Sequence, residues 1–206
     1  MSVLDLEKDL KTQVAGEVHF DQATKVAYSV DASIFEVEPT CICSPINLDD
    51  LLTILAIAKQ HSISVVPRGA ATGITGGCLG HGLIIDLSRH FTNILEINYD
   101  QEFVICEPGV IQDDLNNALA GQGYRLGPDT STGNRATIGG MLANNAAGAR
   151  SLRYGKMVDH VQEVELVLVD GEIITFGEIE TQNLANKIAE MTTEGKIYRQ
   201  VNEIRT

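Results

Sequence analysis

Apolar and polar positions along the chain fall into short segments of differing period. Residues 4–14 predict a short helix, and residues 20–39 form a looser stretch without a strong period. From Thr40 the pattern sharpens: "TCICSP" reads as a strand stopped by Pro45, after which Asn47 caps a helix reaching about Gln60, with Leu51, Leu52, Leu55 and Ala58 on its buried face. A buried strand over residues 63–66 completes a β-α-β unit, and a further strand is expected over residues 83–87. Strands over residues 94–97 and 103–107 precede a helix over 111–120, turned inward by Leu115 and Leu119 and ended by Gly121. Residues 161–169 and 172–176 flank Asp170-Gly171, a strong hairpin turn. Val164, Leu166 and Leu168 alternate there with Glu163 and Glu165, so one face is wet. The last stretch reads as helix, turn, helix, with Ile197, Val201 and Ile204 on one face. Strands and helices mix without regular alternation, which favours α+β over a doubly wound parallel sheet.

At 206 residues and 44% apolar content the chain can bury a sizeable core as one domain or slightly more. Its net charge of -13 argues against a nucleic acid or an anionic membrane as main partner, since both are polyanions. Cys41, Cys43, Cys78 and Cys106 form no CxxC pair and no metal-ligand spacing; buried thiols in a reducing, cytoplasmic setting are the better reading. No apolar run is long enough for a membrane span, and the first ten residues are too charged for a signal peptide. His19, His61, His81, His90 and His160 are scattered in sequence, which favours solvated or core-edge roles, and Asp113-Asp114 offsets a helix dipole at its start.

Chemistry concentrates in two glycine-rich stretches. Between the strands ending near Val66 and starting at Leu83, glycines stand at 69, 73, 76, 77, 80 and 82. No glycine is followed by the Lys-Ser/Thr pair of a Walker A loop. At about 1 kcal/mol per glycine relative to Ala, no helix should form between Gly73 and Leu83, so a Rossmann phosphate site is excluded as well. Two readings stay open for this loop: a backbone nest that holds a diphosphate, or a pair of tight turns. Residues 127–155 are again irregular, polar and glycine-rich, the kind of segment that usually marks a binding loop. Gly139-Gly140 is placed to expose amides at the start of a short helix, and Asn144 and Asn145 offer donors and acceptors to a heterocycle or ribityl chain.

"PRGAATGITGG", "TIGGMLANNAAGARSLRYG" and "VELVLVDGEII", in this order and spacing, resemble the FAD-binding domain of the vanillyl-alcohol oxidase and p-cresol methylhydroxylase family. Within it the chain is most similar to FAD-linked D-lactate or D-2-hydroxyglutarate dehydrogenases and to proteins resembling the D subunit of glycolate oxidase. The resemblance implies an α+β fold of two subdomains with FAD between them, C-terminally incomplete: an extension over residues 1–39, the FAD-binding domain over 40–180, and a helical segment over 181–206 leading to a substrate domain outside the chain.

It further implies that Pro67, Arg68, Gly69, Ala70, Ala71, Thr72 and Gly73 wrap the pyrophosphate, with Thr75 and Gly76 nearby. Pro128, Asp129 and Ser131 would lie along the cofactor, while Thr137, Gly139, Gly140, Asn144, Ala147 and Gly148 approach the flavin and ribityl chain. Arg153, Tyr154 and Gly155 would complete that edge, and Val161 would meet the adenine end. Arg68 has two readings, a phosphate partner or a structural ion pair. Ala71 stands where relatives usually have glycine, which is tolerable only at negative φ, and Thr130 replaces a common proline. Thr72 takes the position of a histidine that bonds covalently to the flavin in some relatives, so the FAD is expected to be non-covalent. The function implied is the FAD-binding part of an oxidoreductase that takes hydride from a small D-2-hydroxy acid and passes electrons to another carrier, with no catalytic residue in this chain. The alternatives are a flavin-binding or assembly module without turnover, and nucleotide binding without flavin.

Overall fold

A computed structural model describes residues 2–205, which divide into two compact units, Met1–His160 and Val161–Thr206. The first is built on a four-stranded sheet of β1 (Glu17–His19), β2 (Cys41–Ser44), β3 (Val65–Arg68) and β4 (Leu83–Asp86), in the order β1-β2-β4-β3. β2 and β3 both run parallel to β4, and β1 closes the edge antiparallel to β2. All four residues of β2 and of β4 are buried, the signature of central strands covered on both faces.

Three helices in the first 60 residues support this sheet: α1 (Val3–Gln13), α2 (Gln22–Tyr28) and α3 (Leu48–Gln60). Asn47 caps α3 through its Oδ1, which accepts the Asp50 amide at 2.9 Å. Leu51, Leu55 and Ala58 are buried as expected; Leu52 is only half-buried, and Ile54 and Ile57 complete the inward face. Asp50, itself buried, accepts the amides of Ala15, Gly16 and Ile46 at 2.8, 2.9 and 3.1 Å. That carboxylate ties the turn before β1 to the start of α3. Residues 1–39, expected as an extension, therefore contribute β1 to the sheet and belong to the first unit. Their looser half contains α2, whose N-cap Asp21 accepts the Thr24 amide at 2.9 Å, a local signal that the weak apolar period hid.

Three of the scattered histidines meet carboxylates distant or near in sequence: His61 with Asp9 at 2.7 Å, His90 with Glu17 at 3.1 Å and His19 with Asp21 at 3.6 Å. Sequence spacing could not show two of these pairs, because they form between separate elements.

Beyond β4, the antiparallel pair β5 (Ile94–Asn98) and β6 (Phe103–Cys106) packs with α4 (Gln112–Ala120) around Val110, Leu115 and Leu119. Two short helices follow, α5 (Ile138–Ala143) and α6 (Ser151–Tyr154). The second unit holds the hairpin β7 (Glu163–Val167) and β8 (Ile173–Gly177), then α7 (Thr181–Ala189) and α8 (Thr193–Arg205). Gly171 turns the hairpin at φ 89°, and Phe176 meets Tyr198 with ring centroids 5.7 Å apart. On α8, Val201 and Ile204 are exposed, 56% and 86%. The division at residue 160 groups the hairpin with the terminal helices, in contrast to the boundary at residue 180 that the resemblance implies.

Candidate functional site

The loop joining β3 to β4 remains free of helix from Gly69 to Gly82, as its glycines require. It borders a cavity of about 420 Å³ together with residues of the second glycine-rich stretch. Among the described residues, nothing accepts a hydrogen bond from the amides of Gly69, Ala70, Thr72, Gly73, Ile74 or Thr75. None of these residues is buried, so their amides are open to solvent, and they line a cavity in which a ligand with several acceptor oxygens would find a run of donors.

The loop is shaped from outside by the segment after α2. Ala32 N donates to Ala71 O at 3.2 Å, and a Cβ on Gly76 would lie 3.0 Å from Phe35 Cδ2. Asp31 lines the cavity, accepts the Ser33 amide at 2.8 Å and faces Cys78 Sγ at 3.8 Å. Burial raises its pKa, but hydrogen bonds from Ser33, the Gly76 amide and Cys78 prevail and hold the carboxyl below its ordinary value. Burial pushes the Cys78 thiol up, so this cavity thiol stays protonated and is a poor nucleophile.

Ala71 sits at φ 54°, on the left-handed side, so the condition set by its sequence fails and the loop carries backbone strain of about 1–2 kcal/mol. Arg68 resolves differently from both of its readings. It is buried; Nη1 and Nη2 donate to the carbonyls of Tyr28 and Val30 at 3.0 and 2.9 Å, and the guanidinium lies 4.8 Å from the Tyr28 ring centroid. Tyr28 in turn donates to the buried Asp86, and burial first, then that bond, pushes its pKa up to about 12. The guanidinium thus braces the segment that shapes the loop.

The opposite wall comes from residues 130–146. Ile138 N and Gly139 N donate to the carbonyls of Val110 and Pro108, both at 2.8 Å, and Gly140 N reaches its own cap, Thr137 Oγ1, at 3.4 Å. The expectation of free amides at Gly139-Gly140 is corrected, because residues 108–110 run alongside and take them. Buried Gln112 holds the approach: its Nε2 donates to Pro128 O, and its Oε1 accepts Thr130 Oγ1 at 2.7 Å. Gly69 meets Thr137 so closely that a Cβ would overlap the threonine hydroxyl, which joins the two glycine-rich stretches.

Of the residues singled out by sequence, the cavity gathers Pro67, Gly69, Ala70, Ala71, Thr72, Gly73, Thr75, Thr137, Gly140 and Asn144. Arg68, Gly76, Pro128, Asp129, Ser131, Gly139, Ala147, Gly148, Arg153, Tyr154 and Gly155 do not line it, and Val161 opens the second unit. Several of these act as support: Asp129 pairs with Arg150 at 3.1 Å, and Gly148 packs against the Asp129 backbone. The cavity also takes in Asp31, Ile74, Gly77, Cys78, Thr130, Thr132, Ala136, Met141, Ala143 and Ala146. Asp31 carried one legible signal, the Asp-x-Ser turn.

A family model described as "FAD binding domain" matches residues 39–177. The chain is 38% identical over 203 residues to a D-2-hydroxyglutarate dehydrogenase of Pantoea ananatis, covering 97% of this chain and 20% of that protein. It is 36% identical over 179 residues to glycolate oxidase subunit GlcD of Bacillus subtilis, covering 84% of this chain and 38% of that one. The chain thus spans about a fifth of the length of such dehydrogenases. Among solved structures, p-cresol methylhydroxylase superposes with a TM-score of 0.72 at 15% identity, over 84% of this chain and 35% of that one. The fold is accordingly the α+β fold found in the matching third of that structure.

Proposed function

The chain belongs to the FAD binding domain family, and from that premise we propose that it is the FAD-binding part of an oxidoreductase that oxidises a small D-2-hydroxy acid. The observation that carries the reading is the run of open amides from Gly69 to Thr75 along a cavity walled by both glycine-rich stretches. Those amides suit the diphosphate, Thr72 and Thr75 add hydroxyl donors, and Thr137, Gly140 and Asn144 face the same space. Bound FAD would supply the hydride acceptor. The chain's own part is to hold, orient and desolvate the cofactor. Attachment is non-covalent: Thr72 is no nucleophile for the flavin, and Cys78 is held protonated.

The cavity has no histidine in its walls among the described residues, and its carboxylate, Asp31, is engaged with Ser33 and Cys78. A base for the hydroxyl proton and a clamp for the substrate carboxylate are therefore assigned to the part of the protein this chain does not span. Electrons taken up by bound FAD would pass to a separate carrier. Among the described residues no helix is long and apolar enough to cross a membrane, and four free thiols support a reducing, cytoplasmic setting.

Incubation of the purified chain with FAD, followed by desalting, is expected to leave a yellow protein whose colour stays in the supernatant after acid precipitation. A colourless protein would overturn the reading, and colour in the pellet would overturn non-covalent attachment. Anaerobic mixing of the loaded chain with D-lactate, D-2-hydroxyglutarate or glycolate is expected to leave the flavin absorbance unbleached; bleaching within seconds would place a working substrate site within these residues.

A further inference from the structure

The cation inside the loop motif is not free to meet a phosphate. Arg68 lies within the loop motif, yet its terminal nitrogens are spent on the carbonyls of Tyr28 and Val30. The cavity of about 420 Å³ has no Lys or Arg in its walls and carries one carboxylate, Asp31. A dianionic diphosphate laid on open amides there would face a negative neighbour, in a chain whose net charge is already -13.

A second cleft, of about 290 Å³, shares two lining residues with the first. Ala70 and Thr137 border both spaces. Its charged side chain is Arg135, and Asn134 and Gly109 stand beside it. Arg135 is exposed, and among the described residues no carboxylate and no carbonyl engages its guanidinium, although Arg89 and Arg150 each hold a carboxylate. Its backbone is well fixed: Arg135 N donates to Thr132 O at 2.8 Å, and the adjoining Ala136 carbonyl accepts the Gln112 amide at 2.9 Å. The two spaces that share Ala70 and Thr137 therefore differ in charge: the first is lined by the carboxylate of Asp31, the second by the guanidinium of Arg135.

We propose that Arg135 is the cation that would offset the charge of an FAD diphosphate held by the loop amides, since Ala70 and Thr137 line both the cavity and the cleft that Arg135 lines. The inference rests on the FAD reading above and assigns the charge partner that Arg68 cannot supply. Amides provide direction for the phosphate oxygens, while Arg135 offsets their charge and draws the dianion away from Asp31.

The test compares wild-type chain with Arg135→Gln and Arg135→Lys by titration with FAD, riboflavin and inorganic pyrophosphate at low and high salt. Because the side chain is exposed and unpaired, thermal unfolding of the apo variants should match wild type. Arg135→Gln should weaken FAD about tenfold at low salt, with a gap that narrows at high salt. Riboflavin, which lacks phosphate, should bind both proteins alike, and Arg135→Lys should recover part of the FAD affinity. Equal FAD affinity and equal salt dependence in wild type and Arg135→Gln would overturn the proposal and leave the FAD reading intact. Pyrophosphate binding that is lost in Arg135→Gln, in a chain that takes up no FAD, would overturn the FAD reading and retain the anion site. A wild-type chain that binds neither FAD nor pyrophosphate overturns both.

Discussion

Two glycine-rich stretches face one another in this protein and use glycine for different ends. In the β3–β4 loop the backbone is open: its amides from Gly69 to Thr75 lack acceptors, and a Cβ on Gly73 would lie 4.0 Å from its nearest neighbour, Asn144 Nδ2. In the stretch from Gly127 to Gly155 the backbone is closed. Its amides at 138 and 139 are bonded to residues 108–110, and a Cβ on Gly148 would overlap the Asp129 carbonyl. Composition looks the same in both, yet the first stretch keeps donors available and the second lets chain segments approach closely. Glycine content alone thus marks a site without saying which face of it does the binding.

The largest expected effects separate these two uses. Gly148→Val should cost about 3 kcal/mol or more, because the side chain would meet backbone that cannot step aside, and thermal unfolding of the apo chain measures it. Gly73→Ala, in open space, should leave apo stability within about 0.5 kcal/mol and lower only FAD affinity. Equal destabilisation by the two would erase the distinction drawn here. Gly140→Val adds a branched side chain at the cavity wall, where a Cβ would lie 3.0 Å from Thr137 Oγ1; it should abolish FAD binding while the apo chain still folds. Retained affinity would remove Gly140 from the site.

Next in size is Arg68→Ala, which leaves the Tyr28 and Val30 carbonyls without their donor and should cost about 1–3 kcal/mol of stability. Its FAD affinity should fall without a change in salt dependence, in contrast to Arg135→Gln. Tyr28 adds a pH signature. Its folded pKa, about 12, exceeds the ordinary tyrosine value of 10.0, so the phenol contributes stability below pH 10 that is lost as pH rises toward 12. Tyr28→Phe removes that contribution, and the stability gap between wild type and variant should close over this range. Denaturant melts from pH 8 to 12 follow it. Smallest is Ala71→Gly, which relieves a residue at φ 54° and should stabilise the apo chain by about 0.5–1 kcal/mol, after the opposing entropy of the unfolded state. A loss of stability there would show that the left-handed loop is not strained.

Much of this is legible in the amino-acid sequence. The α+β mixture, the helix capped by Asn47, the inward Leu115 and Leu119, the Asp170-Gly171 hairpin and the absence of helix after Gly73 all follow from local chemistry: caps, periodicity, turn residues and the cost of glycine in a helix. Resemblance of the three motifs pointed to FAD, and the family match agrees. These features depend on residues within a few positions of one another, and such interactions are written directly in the order of the chain.

Only the tertiary structure decided what each site residue does. The Arg68 guanidinium found the carbonyls of Tyr28 and Val30, 40 and 38 positions away. The amides at 138 and 139 were closed by the turn at 108–110, and Asp31 reached the cavity from a stretch without a clear period. His61 found Asp9, 52 residues earlier. The physical reason is common to all four. A hydrogen-bonding group takes the partner that folding brings within 3 Å or so, and sequence separation carries no information about that distance once the chain has crossed from one element to another.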